Sequence, residues 1–142
     1  MGVRHPRPSG ATARALRPQR VYETVVYAPD LDAAAAFYRD VLGLQQVADM
    51  AFRLDDDGIL LLFDPAQSSQ PDRPVPSHGP SGGSVHVAFA VDALEPWRER
   101  LAATGVEVEH EHEWARGGAR SLYVRDPAGN SVELVEGDLW PR

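Results

Sequence analysis

The sequence of 142 residues contains no cysteine and no lysine. Without cysteine the chain has no disulfide bond, thiolate metal site or cysteine nucleophile, so any metal ion would have to be bound by His, Asp or Glu. No apolar run approaches the roughly 18 residues that span a membrane, and the first residues lack the apolar segment of a secretory signal. We therefore expect a cytoplasmic protein with no membrane partner.

The charge of the chain is divided unevenly along its length. All 14 basic residues are arginines, and five of them lie within residues 1–20, which contain no acid. The rest carries nine arginines against 21 acidic residues, a balance of −12, which repels nucleic acid. Residues 1–20 lack any periodicity and are predicted to form a disordered basic tail, although their composition also resembles a transit peptide.

Residues 21–63 predict one strand, one helix and three further strands. Residues 21–27 are β-branched and aromatic, and the alanine-rich run 33–42 favours a helix that Gly43 ends. Three short strands are then expected around residues 46–48, 51–54 and 59–63, with a tight turn at residues 55–58 between the last two.

The same order of elements returns after a linker over residues 64–83, which is rich in Pro, Gly and Ser. A strand is predicted over 84–91 and a helix from Asp92 to the stop at Gly105. Three more strands follow, over 106–109 or beyond, 121–124 and 132–135. The chain thus predicts a single α+β domain over residues 21–136, in which two βαβββ modules, 21–63 and 84–135, curl mixed sheets around a shared cavity with the helices outside.

The two modules can be aligned by their glycines. Glu23 lies 20 residues before the helix stop at Gly43, and His86 lies 19 residues before the stop at Gly105, so Glu23 and His86 take equivalent places on the first strands. An aromatic residue precedes each turn glycine by six positions, and this offset makes Glu133 equivalent to about Leu62.

Glu133 is a carboxylate within an otherwise apolar strand, where it shares a face with Ser131 and Val135. A carboxylate on a half-buried face is costly unless it is paired or binds a cation. The simpler interpretation, that Glu133 points to solvent from an edge strand, remains open at this stage.

Glu23, His86 and Glu133 would meet if the modules enclosed one cavity, and together they form a plausible metal site. One imidazole and two carboxylates favour a divalent ion such as Mn, Fe(II), Ni or Zn and leave positions for water or substrate. The alternative is that His86 is a core histidine and Glu23 a residue of the cavity rim.

Four segments carry a resemblance to a known family: ETVVYAPDLD (23–32), AFYRDVLGL (36–44), HVAFAV (86–91) and LYVRDPAGNSVEL (122–134). They resemble the vicinal oxygen chelate superfamily, which holds glyoxalase I, extradiol dioxygenases, fosfomycin-resistance transferases and bleomycin-resistance proteins. The resemblance implies metal ligation by Glu23, His86 and Glu133, with Leu62 leaving the fourth place empty. It also implies a homodimer, in which each site is built from one chain or from two.

The implied function is that of a glyoxalase-like or dioxygenase-like enzyme. A divalent metal ion would bind two oxygens of a small substrate and stabilise an oxyanion or enediolate, with Glu23 or Glu133 moving a proton. Glu23 departs from the family, because dioxygenases usually have His there and eukaryotic glyoxalase I has Gln. The alternative is a non-catalytic protein that sequesters an aromatic antibiotic or metabolite, as bleomycin-resistance proteins do.

The segment 113–120 is predicted to form one wall of the pocket or else an ordinary hairpin loop. In the first case Trp114 gives apolar surface, Arg120 contacts an anion and Tyr123 also binds substrate. His110 and His112 alternate with acids and are predicted to lie on a solvated strand face. His78, in the linker, is expected over the cavity mouth.

Overall fold

The computed structural model describes residues 16–17, 20–81 and 85–140. Their strands and helices follow the predicted order in both halves. The elements are β1 (Glu23–Tyr27), α1 (Leu31–Ala36, continued by a π-helical turn, Phe37–Val41), β2 (Gln45–Ala48), β3 (Ala51–Arg53), β4 (Ile59–Phe63), α2 (Pro65–Ser68), β5 (His86–Val91), α3 (Glu95–Ala103), β6 (His110–Glu113), β7 (Arg120–Arg125) and β8 (Ser131–Glu136).

Two four-stranded mixed sheets result, with the orders β1-β4-β3-β2 and β5-β8-β7-β6. In each sheet the first strand of the module pairs in parallel with the last, and the remaining neighbours are antiparallel. The sheets are open rather than closed into a barrel. The predicted α+β fold of two βαβββ modules is therefore confirmed.

One face of each sheet is buried in a core that both modules share. Val26, Leu60 and Leu62 supply the first sheet's part, and Leu122 and Leu134 belong to the second sheet's part. Because successive strand residues point to opposite faces, the residues between these positions lie on the opposite, open face of each sheet. The open faces carry Glu23, His86 and Glu133, the three predicted metal ligands.

The local sequence explains where α1 begins and ends. The Asp30 side chain accepts a hydrogen bond of 3.1 Å from the Ala33 amide and so caps the first turn. Four consecutive alanines favour the helix, and Gly43, with φ of +75°, lies just beyond the end of the helical turns, as predicted.

A buried polar network joins the turn between β7 and β8 to the first module. The Tyr38 hydroxyl donates to Asp126 Oδ2 at 2.8 Å, and Asn130 Nδ2 donates to the same oxygen at 2.8 Å and to the Tyr27 carbonyl at 2.9 Å. Asn130 Oδ1 also accepts from the Val85 amide. Burial, reinforced by the Asp126 carboxylate, raises the pKa of the Tyr38 phenol far above its usual range, so the phenol stays a donor.

Several expected boundaries are different in the structure, and the second long helix begins at Glu95 rather than at Asp92. The strand expected to start at residue 106 starts at His110, because Val106 and Val108 pack against the core instead and pairing with β7 begins only beyond them. The linker contains the short helix α2. The predicted tail falls mainly on residues outside the described part of the chain, and none of the described helices is long and apolar enough to cross a membrane.

The alignment of Glu133 with Leu62 is wrong by one residue. Glu23 pairs with Ile59 and Val25 with Leu61, just as His86 pairs with Ser131 and Ala88 with Glu133. The equivalent of Glu133 is therefore Leu61, on the open face, whereas Leu62 lies in the core with 3% exposure. The alignment of Glu23 with His86 agrees with this register.

The physical reason lies in the two hairpin turns. Both enclose five residues, 54–58 and 126–130, but Gly58 is the fifth residue of its turn and Gly129 the fourth. The fourth position needs a positive φ, which Asp57 supplies at 67° in the first turn and Gly129 at 84° in the second. Aligning the glycines therefore shifted the last strands by one residue.

Candidate metal and substrate site

His86 and Glu133 meet on the open face of the second sheet. His86 lies on β5, two residues before Ala88, which pairs with Glu133 on β8. The His86 Nε2 and Glu133 Oε1 atoms are 3.1 Å apart. Glu133 is only 5% exposed, whereas about half of the His86 side chain is exposed, so the buried carboxylate presents one oxygen to an accessible imidazole.

A hydrogen bond from the neighbouring strand β7 holds the second carboxylate oxygen of Glu133. Ser121, which is 1% exposed on β7, donates from Oγ to Glu133 Oε2 at 2.5 Å. Trp114 Nε1 donates in turn to Ser121 Oγ at 2.8 Å. The buried carboxylate is thereby hydrogen-bonded, which offsets part of its desolvation cost. Ser121 was not predicted to be a site residue, although its place two residues before Tyr123 on the same strand was a usable signal.

A cavity of about 570 Å³ opens in front of this pair. Trp114 and Tyr123 line it together with His86 and Glu133, and their role in substrate binding stays a prediction. The chain beyond β8 closes one side of it. Further lining residues share small or apolar character, apart from Asp138: Ala88, Phe89, Ala90, Val135, Gly137, Leu139 and Trp140.

The charge of Glu133 affects the neighbouring phenol. Tyr123 pairs directly with Glu133 across β7 and β8. Burial raises the pKa of Tyr123, and the nearby Glu133 carboxylate raises it further because it disfavours a second negative charge. Tyr123 therefore faces the cavity as a neutral phenol.

The geometry of the His86–Glu133 pair fits two ligands of one metal ion. Two ligand atoms that each lie about 2.1 Å from an ion, at a right angle, are about 3.0 Å from each other, close to the observed 3.1 Å. Imidazole nitrogen and carboxylate oxygen are suitable donors for Mn, Fe(II), Ni or Zn. Tyr123 and Ser121 lie close to the carboxylate, so the pair has supporting groups around it.

Within one chain Glu23 does not join this pair. Over the described residues, no three His, Asp or Glu side chains come together in a way that could hold a metal ion. Glu23 lies exposed at the start of β1, on the open face of the other sheet. The role of Glu23 as a ligand therefore stays a prediction.

Arg120 lies away from the cavity. It is adjacent to Ser121 on β7 and thus points to the opposite face of the sheet, where its guanidinium donates to Glu136 Oε2 at 2.9 Å. Glu136 also accepts from the Leu94 amide, and these two contacts lower the pKa of the Glu136 carboxyl. The side chain predicted to contact an anion of the substrate is thus committed to an ion pair.

Two histidines that were predicted to be solvated share the open face of the second sheet. His110 pairs with Tyr123 and His112 with Ser121, and both are exposed as expected. Their rings also contact the site's aromatic residues, with centroids 5.8 Å apart for His110 and Tyr123 and 4.4 Å for His112 and Trp114. The alternation of His with Glu did not reveal this, because neither face of β6 is apolar.

His78 lies over the open face of the first sheet. Its Nδ1 is 2.6 Å from the Tyr27 hydroxyl, and its ring packs edge-on against Phe63. The main chain at His78 is fixed by a pair of hydrogen bonds with Ser68. The linker thus covers the end of β1 and β4 that lies away from Glu23.

Residues 20–134 match the profile of the glyoxalase/bleomycin resistance protein/dioxygenase superfamily. The chain belongs to this superfamily. The match includes β1, β5 and β8 up to Leu134, and so it covers Glu23, His86 and Glu133.

Members of the superfamily with related sequences include proteins called lactoylglutathione lyases. A crystal structure of such a protein from Agrobacterium tumefaciens is 45% identical and superposes with a TM-score of 0.76, covering 87% of this chain and 98% of that one. A lactoylglutathione lyase of Haemophilus influenzae is 27% identical over 132 residues, which are 82% of this chain and 92% of that protein.

A third member of the superfamily shows the same fold at lower identity. The structure of a glyoxalase/bleomycin resistance protein/dioxygenase from Nocardioides is 24% identical and has a TM-score of 0.66, with 87% of this chain and 86% of that chain covered. At this identity the likeness extends to the fold alone.

Proposed function

We propose that this protein is a metal-dependent enzyme of the lactoylglutathione lyase type, acting on a small substrate with two adjacent oxygens. The observation that carries the proposal is the 3.1 Å approach of His86 Nε2 to Glu133 Oε1 at the mouth of an accessible cavity. The lactoyl thioester in the relatives' name has a hydroxyl and a carbonyl oxygen on neighbouring carbons, and the adduct of a 2-oxoaldehyde and glutathione, from which such a thioester forms, is the first substrate to test.

His86, Glu133 and Glu23 would hold the metal ion, with Glu23 coming from a second copy of the chain. The ion would supply Lewis-acid stabilisation for negative charge that develops on the substrate oxygens. The Glu23 side chain makes no hydrogen bond or ion pair with the described residues of its own chain, so its carboxylate is available across an interface. The proposed assembly is therefore a homodimer with two sites.

Proton movement is assigned to the carboxylates. A carboxylate within hydrogen-bond reach of the carbon next to a carbonyl can remove its proton and return it to the neighbouring carbon. Glu133 is buried and fixed through Ser121, which favours a holding role. Glu23 is exposed and unconstrained, which makes it the better candidate for the moving base.

The rest of the substrate would occupy the cavity beside the pair. Trp114, Tyr123 and Trp140 provide aromatic surface there, and the neutral Tyr123 phenol can donate a hydrogen bond. These groups also suit the competing function, in which the cavity binds an aromatic compound without converting it.

The experiment that tests the proposal combines metal analysis with turnover. The purified full-length protein should contain close to one Mn, Fe, Ni or Zn ion per chain and should form a thioester from a 2-oxoaldehyde and glutathione. Glu133→Ala should lose both the metal and the activity. Glu136→Ala provides a matched control, because this carboxylate lies on the same strand but pairs with Arg120 on the other face.

Two outcomes would overturn the proposal. A protein that loads no divalent ion and binds an aromatic compound would support the non-catalytic function. Turnover that survives Glu133→Ala unchanged would remove the site itself from the reaction.

A further inference from the structure

We propose that Ser121 and Trp114 are positioning residues that set the orientation of Glu133 for metal binding. They act as a relay of directed hydrogen bonds, from Trp114 Nε1–H to Ser121 Oγ and from Ser121 Oγ–H to Glu133 Oε2. This inference rests on the proposed function, because it concerns how the same site holds its ion.

The first step of the relay decides which oxygen of Glu133 is presented. The 2.5 Å hydrogen bond from Ser121 occupies Glu133 Oε2. Only Oε1 therefore faces His86, whose Nε2 lies 3.1 Å away. If the Glu133 carboxylate were free to rotate, its two oxygens would exchange places, and the distance between the two ligand atoms of the His86–Glu133 pair would change. Groups that hold a ligand in this way commonly contribute 10- to 100-fold (roughly) to metal affinity.

The second step decides the direction of the Ser121 hydroxyl. A hydroxyl can donate one hydrogen bond and accept others. Because Trp114 Nε1 can only donate, the 2.8 Å contact makes Ser121 Oγ an acceptor toward Trp114 and leaves its proton for Glu133. Ser121 is 1% exposed, so water does not compete for this proton.

The other ligand of the pair lacks comparable support. His86 Nδ1 is 3.4 Å from Ser131 Oγ, in an exposed position. The orientation of the site is thus fixed mainly on the Glu133 side. Substitutions in the relay should accordingly weaken metal binding more than Ser131→Ala does.

The test measures nickel(II) affinity by calorimetry on the full-length protein, for Ser121→Ala, Trp114→Phe and the double variant. Ser121→Ala should weaken nickel binding by about 10- to 100-fold. Trp114→Phe should weaken it by about a few-fold, because the Ser121 hydroxyl can still donate to Glu133 but is no longer held in one direction by Trp114. The double variant should bind nickel like Ser121→Ala alone, since both changes break one chain of bonds. Trp97→Phe, which alters a tryptophan outside the cavity, should leave the affinity unchanged.

The outcomes separate the inference from the function on which it rests. If the unmodified protein binds nickel and all three variants bind it equally well, the positioning role is wrong and the proposed function stands. If the effects of the two substitutions multiply, Trp114 does not act through Ser121 and the relay is wrong. If the unmodified protein binds no nickel, manganese, zinc or iron(II), the proposed function falls first and the positioning role with it. Trp114, half-buried at the cavity, gives a variant that keeps the core intact if Ser121→Ala does not fold.

Discussion

The two modules have the same ladder of strands but carry different side chains on their open faces. At the equivalent position of the first strand the pair is Glu23 and His86, and at that of the last strand it is Leu61 and Glu133. The second module holds two potential ligands 3.1 Å apart, whereas the first offers one carboxylate. Most of the potential ligands thus lie in one half of the duplicated scaffold, and the proposed site would take Glu23 from a second copy of the chain.

The hairpin turns of the two modules also differ, in the hydrogen bonds that they make. In the second module Asp126 and Asn130 form a buried network that reaches Tyr38 and the Tyr27 carbonyl. In the first module the Asp56 carboxylate caps only the Gly58 amide at 2.9 Å, in an exposed turn. One turn therefore joins the modules, and the other closes a local loop.

The largest effect is expected when the second module is made like the first by Glu133→Leu. Loss of a ligand should reduce turnover of the 2-oxoaldehyde and glutathione adduct by about 1,000-fold, since it removes several kcal/mol of Lewis-acid stabilisation. Thermal stability should be retained or increased, because a buried carboxylate is replaced by an apolar side chain. Metal content and a melting curve check this, and a variant that keeps its metal would contradict the role of Glu133 as a ligand.

The one-residue correction can be tested by placing a carboxylate at either candidate position of the first module. Leu62→Glu should lower the free energy of unfolding by about 4 kcal/mol or more, because the side chain is in the core without a partner. Leu61→Glu, on the open face, should cost about 1 kcal/mol. Denaturant unfolding at one fixed protein concentration compares the two variants, and equal losses would show that the register is wrong.

A smaller effect is expected from the turns. Asn130→Ala should destabilise the protein by about 2–4 kcal/mol, because it leaves the Val85 amide and the Tyr27 carbonyl without a partner inside the protein. Asp56→Ala in the exposed turn should cost less than about 1 kcal/mol. Chemical denaturation measures both, and a larger loss from Asp56→Ala would mean that the first turn does more than close its loop.

The smallest expected effect comes from relieving the positive φ of the first turn. Asp57→Gly removes a left-handed non-glycine residue and should stabilise the protein by about 0.5 kcal/mol, whereas Gly129→Ala in the second turn should destabilise it by about 1 kcal/mol. Asp57→Gly should raise the melting temperature by roughly one to two degrees, and Gly129→Ala should lower it by a larger amount. Shifts of the same sign would remove the equivalence of the two positions.

The fold was predictable from the sequence because each module carries its own strong local signals. The β-branched runs, the alanine helix ended by Gly43 and the turn at 126–130 all agree with the final architecture. The convergence of His86 and Glu133 was predictable too, since strand periodicity and the repeat indicated a common face. These signals arise from residues close together in the sequence, and contacts formed in the folded protein do not alter them.

Other features of the site depend on contacts that one-dimensional patterns do not contain. Ser121 is significant only because pairing brings it beside Glu133 and Trp114. Arg120 looked suited to an anion, but the alternation along β7 turns it toward Glu136. The first residue of β6 was also predicted wrongly, because the exposed His and Glu residues of this strand show no alternation of apolar and polar residues.

Complementation between two inactive chains in one dimer tests most directly whether the site is shared between two copies. Glu23→Ala and His86→Ala chains, each with its own affinity tag, are produced together and the mixed dimer is purified. If each site joins Glu23 of one copy to His86 and Glu133 of the other, one of the two sites in the mixed dimer is intact, and about half of the unmodified activity and metal content should return. A mixed dimer that stays as inactive and metal-free as its parents would contradict a site shared between two copies.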